Sequence, residues 1–206
     1  MSEKIAGIDV SRETIDDLKN FDALVAKWTP KINLVSKSDA QHIWERHIVD
    51  SVQIYQFAPG PFEKWVDIGS GGGFPGIVMA ILGKAKQPDA HFTLIESDLR
   101  KATFLRTAIR ELKLKGTVIA DRIEDAPQQG ADVVSARALA SLSGLLPHIS
   151  RHLNIDGKAL LHKGQRASQE VAEAQNDWSF DLEDHASFTD PDARILALQR
   201  IARRGQ

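Results

Sequence analysis

The chain contains no cysteine, a single tyrosine and no apolar run approaching the roughly 18 residues that a membrane-spanning helix needs. Without cysteine there is no disulfide, thiolate nucleophile, cysteine-ligated zinc or iron-sulfur cluster, and the chain suits a reducing compartment. Its N-terminus, MSEKIAGIDVSRE, lacks a basic region followed by a long apolar stretch. Neither signal peptide nor anchor is therefore expected, and the expected location is cytoplasmic. An excess of one charge is missing too: 26 Lys and Arg oppose 28 Asp and Glu, a net charge of −2 that by itself argues against a polyanion partner. What is present is 206 residues, 42% of them apolar, enough for one full-sized domain with a modest appendage and a core without covalent staples.

The near-neutral total conceals a segregation. Residues 167–193 hold eight acids (Glu170, Glu173, Asp177, Asp181, Glu183, Asp184, Asp190, Asp192) and no Lys or Arg, which leaves +6 on the rest of the chain. A polyanion partner is thus permitted, although a solvated helix and loop is the ordinary reading of such a run.

Residues 1–60 read as an N-terminal helical extension. Ser11 stands as N-cap to an amphipathic helix reaching Trp28, with Ile15, Leu18, Val25 and Trp28 on one face and Pro30 as its stop. Ser38 and Gln41 have capping-box spacing and open a second helix through about Phe57, which Ala58-Pro59-Gly60-Pro61 breaks. From residue 61 to 206 strands alternate with helices, the sign of a mostly parallel sheet covered on both faces. Strands are expected at Trp65–Ile68, His91–Glu96, Thr117–Ala120, Asp132–Ser135, Lys158–His162, Trp178–His185 and Arg194–Ala202. The last two have no helix between them and should pair antiparallel. This is the ordering of a Rossmann-like class I S-adenosylmethionine-dependent methyltransferase domain: α/β, with a seven-stranded, mostly parallel sheet and a C-terminal antiparallel hairpin.

The most informative stretch is Val66-Asp67-Ile68-Gly69-Ser70-Gly71-Gly72-Gly73-Phe74-Pro75-Gly76. Glycines let the chain turn sharply off a strand and approach a ligand closely, while the next helix offers free N–H groups. No Gly-Lys-Ser/Thr follows, which argues against a phosphate-cradling ATPase loop. Gly71, Gly73 and Gly76 fit G-x-G-x-x-G but begin three residues beyond the strand, and the frame from Gly69 places Phe74 where the third glycine of a dinucleotide site belongs. Asp67 at the strand tip would repel a pyrophosphate and suits the ammonium and sulfonium of S-adenosylmethionine. Glu96, at the tip of the next strand, can accept from both ribose hydroxyls of either cofactor. Arg122-Ile123-Glu124-Asp125 is placed to cap an adenine.

With these pieces in order, the chain resembles the glucose-inhibited division protein B family, also called small-subunit ribosomal RNA methyltransferase G. The resemblance rests on Asn33-Leu34, Arg46-His47-Ile48-Val49-Asp50-Ser51, the glycine turn with its Phe-Pro-Gly, Leu94-Ile95-Glu96-Ser97, Lys101, Phe104-Leu105, Ser135-Ala136-Arg137-Ala138 and Lys163-Gly164. It spans about residues 20 to 165. It implies methyl transfer from S-adenosylmethionine to N7 of one guanine of 16S ribosomal RNA, in the decoding-region loop near position 527 of that RNA. Cofactor contacts would fall on Gly69, Phe74, Ile123, Glu124 and Arg137, with Glu96 at the ribose; Asp67 and Gly71 join them from the reading of the turn. Naked 16S RNA and a small-subunit particle are both acceptable partners, and the chain is expected to act as a monomer.

The chemistry agrees. Guanine N7 carries an unshared pair, so attack on a sulfonium methyl needs alignment rather than a general base. Pyrimidine C5 methylation, which needs a cysteine, is excluded. The position after the fourth strand, where amine methyltransferases carry Asn/Asp/Ser-Pro-Pro-aromatic, reads Ser135-Ala136-Arg137-Ala138. Arg137 and Lys163, both at strand ends, are the expected catalytic cations, with a salt bridge from Arg137 to Asp67 or Asp132 as the structural alternative. Arg46, His47, Arg100, Lys101, Arg106 and Lys163 are the expected RNA contacts, Arg106 lying in a basic row with Arg110 and Lys113. No metal site is expected: His148 and His152 lack the glutamate of H-E-x-x-H and a third ligand. A small-molecule methyltransferase and an NAD-dependent oxidoreductase are the competing readings.

Overall fold

The structure, a computed structural model, describes residues 3–205. It opens on a hairpin, β1 (Glu3–Ile5) and β2 (Ile8–Val10), turned at Ala6-Gly7 with φ of +46° and +83°. The extension is therefore not wholly helical, since three-residue strands are too short for alternation to reveal them. Helix α1 (Arg12–Ile32) follows, with Ser11 Oγ accepting from the Thr14 N–H at 3.2 Å. It does not stop at Pro30. A proline in the last turn frees only one carbonyl, that of the exposed Ala26, and the helix ends instead at Asn33, whose left-handed φ of +50° returns its N–H to Thr29 O.

The second expected helix is broken into unlike turns: 3-10 at Asp39–Gln41, a π turn at Trp44–Val49, one α turn α2 (Asp50–Val52) and 3-10 again at Gln53–Phe57. Ser38 caps nothing. Ser36 Oγ takes the Asp39 N–H instead, at 3.1 Å. The widened π turn, a feature that recurs at functional sites, carries Arg46 and His47.

Strands β3 (Lys64–Ile68), β4 (His91–Ile95), β5 (Gly116–Ile119), β6 (Ala131–Arg137), β7 (Leu153–Lys163), β8 (Trp178–Ala186) and β9 (Arg194–Arg203) form one sheet in the order β5-β4-β3-β6-β7-β9-β8. The β3/β4, β4/β5, β3/β6 and β6/β7 pairs are parallel, whereas β7/β9 and β8/β9 are antiparallel, as expected. Alternation along β3 sends Trp65 to one core and Val66 to the other. The first core lies under α1, α3 (Gly76–Lys86) and α4 (Leu99–Glu111); the second lies under α5 (Leu142–His152) and α6 (Ala167–Ala174). Every residue of α3 from Gly76 to Gly83 is buried, because α1 packs over the helix while the sheet lies beneath it. Phe21 of α1 meets both Phe104 and Phe74, so the N-terminal extension shares its core with the sheet.

The acidic segment has structural work. Glu183 pairs with Lys158 at 3.1 Å, Asp184 with Arg194 at 2.7 Å, and Asp181 with Arg200. Glu170 takes Lys163 Nζ at 2.8 Å and the Leu142 N–H at 2.7 Å, satisfying the start of α5. Among the described residues, no helix is long and apolar enough to cross a membrane.

Candidate active site

Strand order reverses between β3 and β6, and a cavity of about 520 Å³ opens there at the carboxyl ends of the strands, where open α/β sheets bind ligands. Its floor is the glycine turn. Gly69, Gly71 and Gly73 all have left-handed φ, between +52° and +88°, which side-chain-bearing residues adopt at a cost. A methyl group on Gly69 would stand 2.7 Å from the Leu139 side chain, so the bare backbone lies directly against the cavity's overhanging residue. Two bonds to Ile95 O, from the Gly69 and Ser70 N–H groups at 2.9 and 3.1 Å, tie the turn to β4.

Glu96 organises the next wall. One carboxylate oxygen accepts from the Gly71 N–H at 2.8 Å and the other from the Asp98 N–H at 2.7 Å. Each oxygen keeps a second acceptor direction. Ile123 and Glu124 line the far wall with Arg122, and the buried His152 holds that loop through Nε2 to Ile123 O at 3.0 Å. His152 thus anchors a cavity wall, and the described residues contain no group of three or more potential metal ligands.

Asp67 lies elsewhere than expected. Its side chain does not line the cavity but is sealed beneath the turn, where Oδ1 accepts from Ser135 Oγ at 2.6 Å and Oδ2 has no partner. Ser135 in turn accepts from the Trp65 indole N–H at 2.9 Å. Side chains alternate along a strand, and the sharp turn at Gly69 carries the chain over Asp67 rather than away from it. Any α3 side chain at position 76 would strike it, since a Cβ there would be 2.6 Å from Oδ2.

Burial pushes the Asp67 carboxyl from 3.8 up to about 6, against the Ser135 hydroxyl, which favours ionisation. The folded state therefore binds this proton more tightly than the unfolded chain does. The resulting stability, on the order of 3 kcal/mol, is full below about pH 4 and lost as pH rises through about 6. Urea unfolding of the parent and of Asp67→Asn at pH 4.5 and 7.5 should show the parent losing stability relative to the variant at the higher pH. A difference independent of pH would mean that the buried carboxyl titrates normally.

A second cavity, of about 750 Å³, adjoins the first and shares His47, Arg137 and Ala138 with it. Arg137 sits at the end of β6 between the two. Its partner is neither Asp67 nor Asp132 but Asp50, at 2.9 Å, and its guanidinium also donates to His47 Nδ1 and lies 5.8 Å from the Phe74 ring centroid. Asp132 is occupied by the Glu63 and Lys64 N–H groups and by Asn154. Because Arg137 can only donate, His47 is the acceptor and carries its proton on Nε2. Burial first, then Arg137, push the His47 imidazole down to about 4, so it is uncharged at neutral pH. The ring stacks on Phe74 with centroids 4.9 Å apart.

Asp50 is the hub of this second cavity. Besides Arg137 it accepts from Gln53 Nε2 and Thr189 Oγ1, both at 2.7 Å, while its backbone carbonyl accepts from His162 Nε2 at 2.9 Å. Lys163 is held to Glu170 and, at 2.7 Å, to Ala140 O.

Of the sequence-predicted residues, Gly69, Gly71, Phe74, Glu96, Ile123, Glu124 and Arg137 line the first cavity, with His47 and Lys101. Arg46, His47, Arg137 and Lys163 line the second. Arg100 and Arg106 line neither; Arg100 pairs with Asp98, and Arg106 reaches only Val118 O at 3.4 Å. Sequence reasoning missed Leu139, His162 and Phe188. The first two follow or end strands, a signal that was used for Lys163 and not for them.

Sheet order, terminal hairpin and glycine-floored cavity together define a Rossmann-like class I methyltransferase fold. A solved S-adenosylmethionine-dependent methyltransferase from Aquifex aeolicus shares it with a TM-score of 0.60 at 10% identity, over 86% of this chain and 97% of that one. The family model for rRNA small subunit methyltransferase G matches residues 14–196. Ribosomal RNA small subunit methyltransferase G of Cereibacter sphaeroides is 48% identical over 96% of each chain, and that of Ruegeria sp. is 48% identical over 95% of each. The chain belongs to the rRNA small subunit methyltransferase G family.

Proposed function

We propose that the chain transfers a methyl group from S-adenosylmethionine to N7 of a guanine in small-subunit ribosomal RNA, working in the cytoplasm. The observation that carries this reading is the pair of adjoining cavities meeting at Arg137 and His47, one floored by the glycine turn and the other lined by Arg46, Arg137 and Lys163 together with the carboxylates of Asp39, Glu45, Asp50 and Asp190. When bound, S-adenosylmethionine supplies a sulfonium methyl, to which the N7 lone pair bonds as the carbon-sulfur bond breaks.

The residues present fit such a cofactor. Gly69 leaves the backbone bare against Leu139 at the cavity edge, Gly71 holds a left-handed φ that a side chain would strain, and the free acceptor directions of Glu96 suit two ribose hydroxyls. Ile123 offers an apolar face to a purine. Arg137, between the cavities, is placed to meet the cofactor's carboxylate or the substrate. No residue need remove a proton, and none of the groups at the junction is a ready base: His47 is already committed to Arg137, and Asp50 is ion-paired. Their work is to position two reactants.

Labelled S-adenosylmethionine with small-subunit RNA, or particles, from cells lacking this activity should yield N7-methylguanosine in the decoding loop. The rate at limiting RNA should fall with salt at a log-log slope of about −0.7 for each phosphate contacted. Transfer to neither RNA form rules the reading out; a salt-independent rate on a small acceptor would favour a small-molecule methyltransferase, and tight NAD binding an oxidoreductase.

A further inference from the structure

The loop 187–193, which joins β8 to β9, carries Phe188, 70% exposed, and among the described residues no other Phe, Trp or Tyr is exposed. An exposed aromatic on a slack loop would mean little. This loop is fastened. The Phe188 N–H donates to Gln53 Oε1 at 2.7 Å, Gln53 Nε2 donates to Ser187 Oγ at 3.1 Å, and Thr189 Oγ1 donates to Asp50 at 2.7 Å. Gln53 itself is 1% exposed, and Asp192 accepts from Gln165 at 2.9 Å on the other side. The backbone at Phe188 is thus held by buried polar groups while the ring is left uncovered on the rim of the second cavity.

Asp50 holds Thr189 with one oxygen and Arg137 with the other, which ties the loop next to Phe188 to the cation at the cavity junction. An apolar ring lining the same cavity as Arg137 and Lys163, each of them already paired with a carboxylate, presents what a nucleobase out of its stack needs first: a π face on which to lie. Exposure alone would say little, since single apolar side chains are common on surfaces; the fastening of this loop around the ring, on the rim of a cavity, is what singles it out.

We propose that Phe188 is the stacking platform for the guanine delivered to the second cavity, making the 187–193 loop a substrate-binding element. The inference rests on the reading of the chain as an RNA methyltransferase. Stacking on one aromatic ring accounts for an effect of about tenfold to a hundredfold.

The test compares the parent with Phe188→Ala, Phe188→Leu and Phe188→Trp in steady-state transfer to small-subunit RNA or particles, alongside calorimetric binding of S-adenosylmethionine. Phe188→Ala should lose about tenfold or more in kcat/KM for RNA, mostly through KM, with cofactor affinity and melting temperature unchanged. Phe188→Trp should recover most of that loss, and Phe188→Leu little of it. Parent-like kinetics of Phe188→Ala would overturn the proposal while the RNA reading stood, as would recovery by Leu equal to that by Trp. A parent that methylates no RNA form would remove the reading and the platform together.

Discussion

Arg137→Ala is expected to transfer methyl groups at least about a hundredfold more slowly than the parent and to be less stable by about 2 to 3 kcal/mol. The stability loss follows from Asp50. The two side chains are 16% and 15% exposed and 2.9 Å apart, so removing the guanidinium strands a carboxylate in a partly desolvated site. A sealed pair broken this way costs about 3 to 5 kcal/mol, discounted here because both groups still meet water. The activity loss has a different origin. Charge-assisted hydrogen bonds contribute roughly 1.5 to 3 kcal/mol each, and Arg137 reaches the junction where donor and acceptor would meet.

A double variant separates the two effects. In Arg137→Ala/Asp50→Asn the remaining amide is neutral and keeps its oxygen for Gln53 and Thr189, so chemical denaturation should show most of the stability restored. Methyl transfer should stay low, because the cation is still absent. Activity returning with stability would reduce Arg137 to a neutraliser of Asp50 and would move the reacting groups elsewhere. His47 adds a further check: without Arg137 its Nδ1 loses a donor and a neighbouring positive charge, so its imidazole should titrate closer to the ordinary range by NMR.

How much of this could be read from the chain depends on the sequence distance over which each feature is built. The strand, glycine turn and helix from Lys64 to Lys86 were readable because backbone permissiveness and apolar alternation act locally. The terminal hairpin was readable because no helix separates β8 from β9. The partner of Arg137 was not, because Asp50 reaches it from a turn 87 residues earlier in sequence. The stretch just before it, Trp44–Val49, was itself read as plain α-helix, since the side-chain period of a π turn differs too little over six residues to register. Asp67 shows the opposite failure. Its chemistry suited the cofactor, but chemistry says nothing about which side of a tight turn a side chain lands on, and the structure buries it under Gly76. The acidic segment, inert as a composition, became intelligible once pairing with Lys158, Lys163 and Arg194 and the fastening of the Phe188 loop could be seen.

Glu96→Ala should weaken S-adenosylmethionine binding by about a hundredfold to ten-thousandfold, the loss expected for two hydrogen bonds to a charged group at roughly 1.5 to 3 kcal/mol each. Two causes contribute, and they can be told apart. The carboxylate at 8% exposure would hold the ribose directly, and it already holds the glycine turn through the Gly71 N–H at 2.8 Å. Glu96→Gln keeps the shape and one acceptor but turns an N–H pair toward one of the two backbone donors, so it should fall between the parent and the alanine variant. The decisive comparison uses S-adenosylhomocysteine and its 2′-deoxy analogue in calorimetric titrations of the parent and Glu96→Ala. Loss of the 2′-hydroxyl should weaken binding to the parent by about tenfold or more and scarcely affect the alanine variant, whose partner for that hydroxyl is already gone. Equal losses in both proteins would assign Glu96 to the turn alone: the cavity would then owe its affinity to the bare backbone of Gly69 and Gly71, and the ribose would have to be held from another wall.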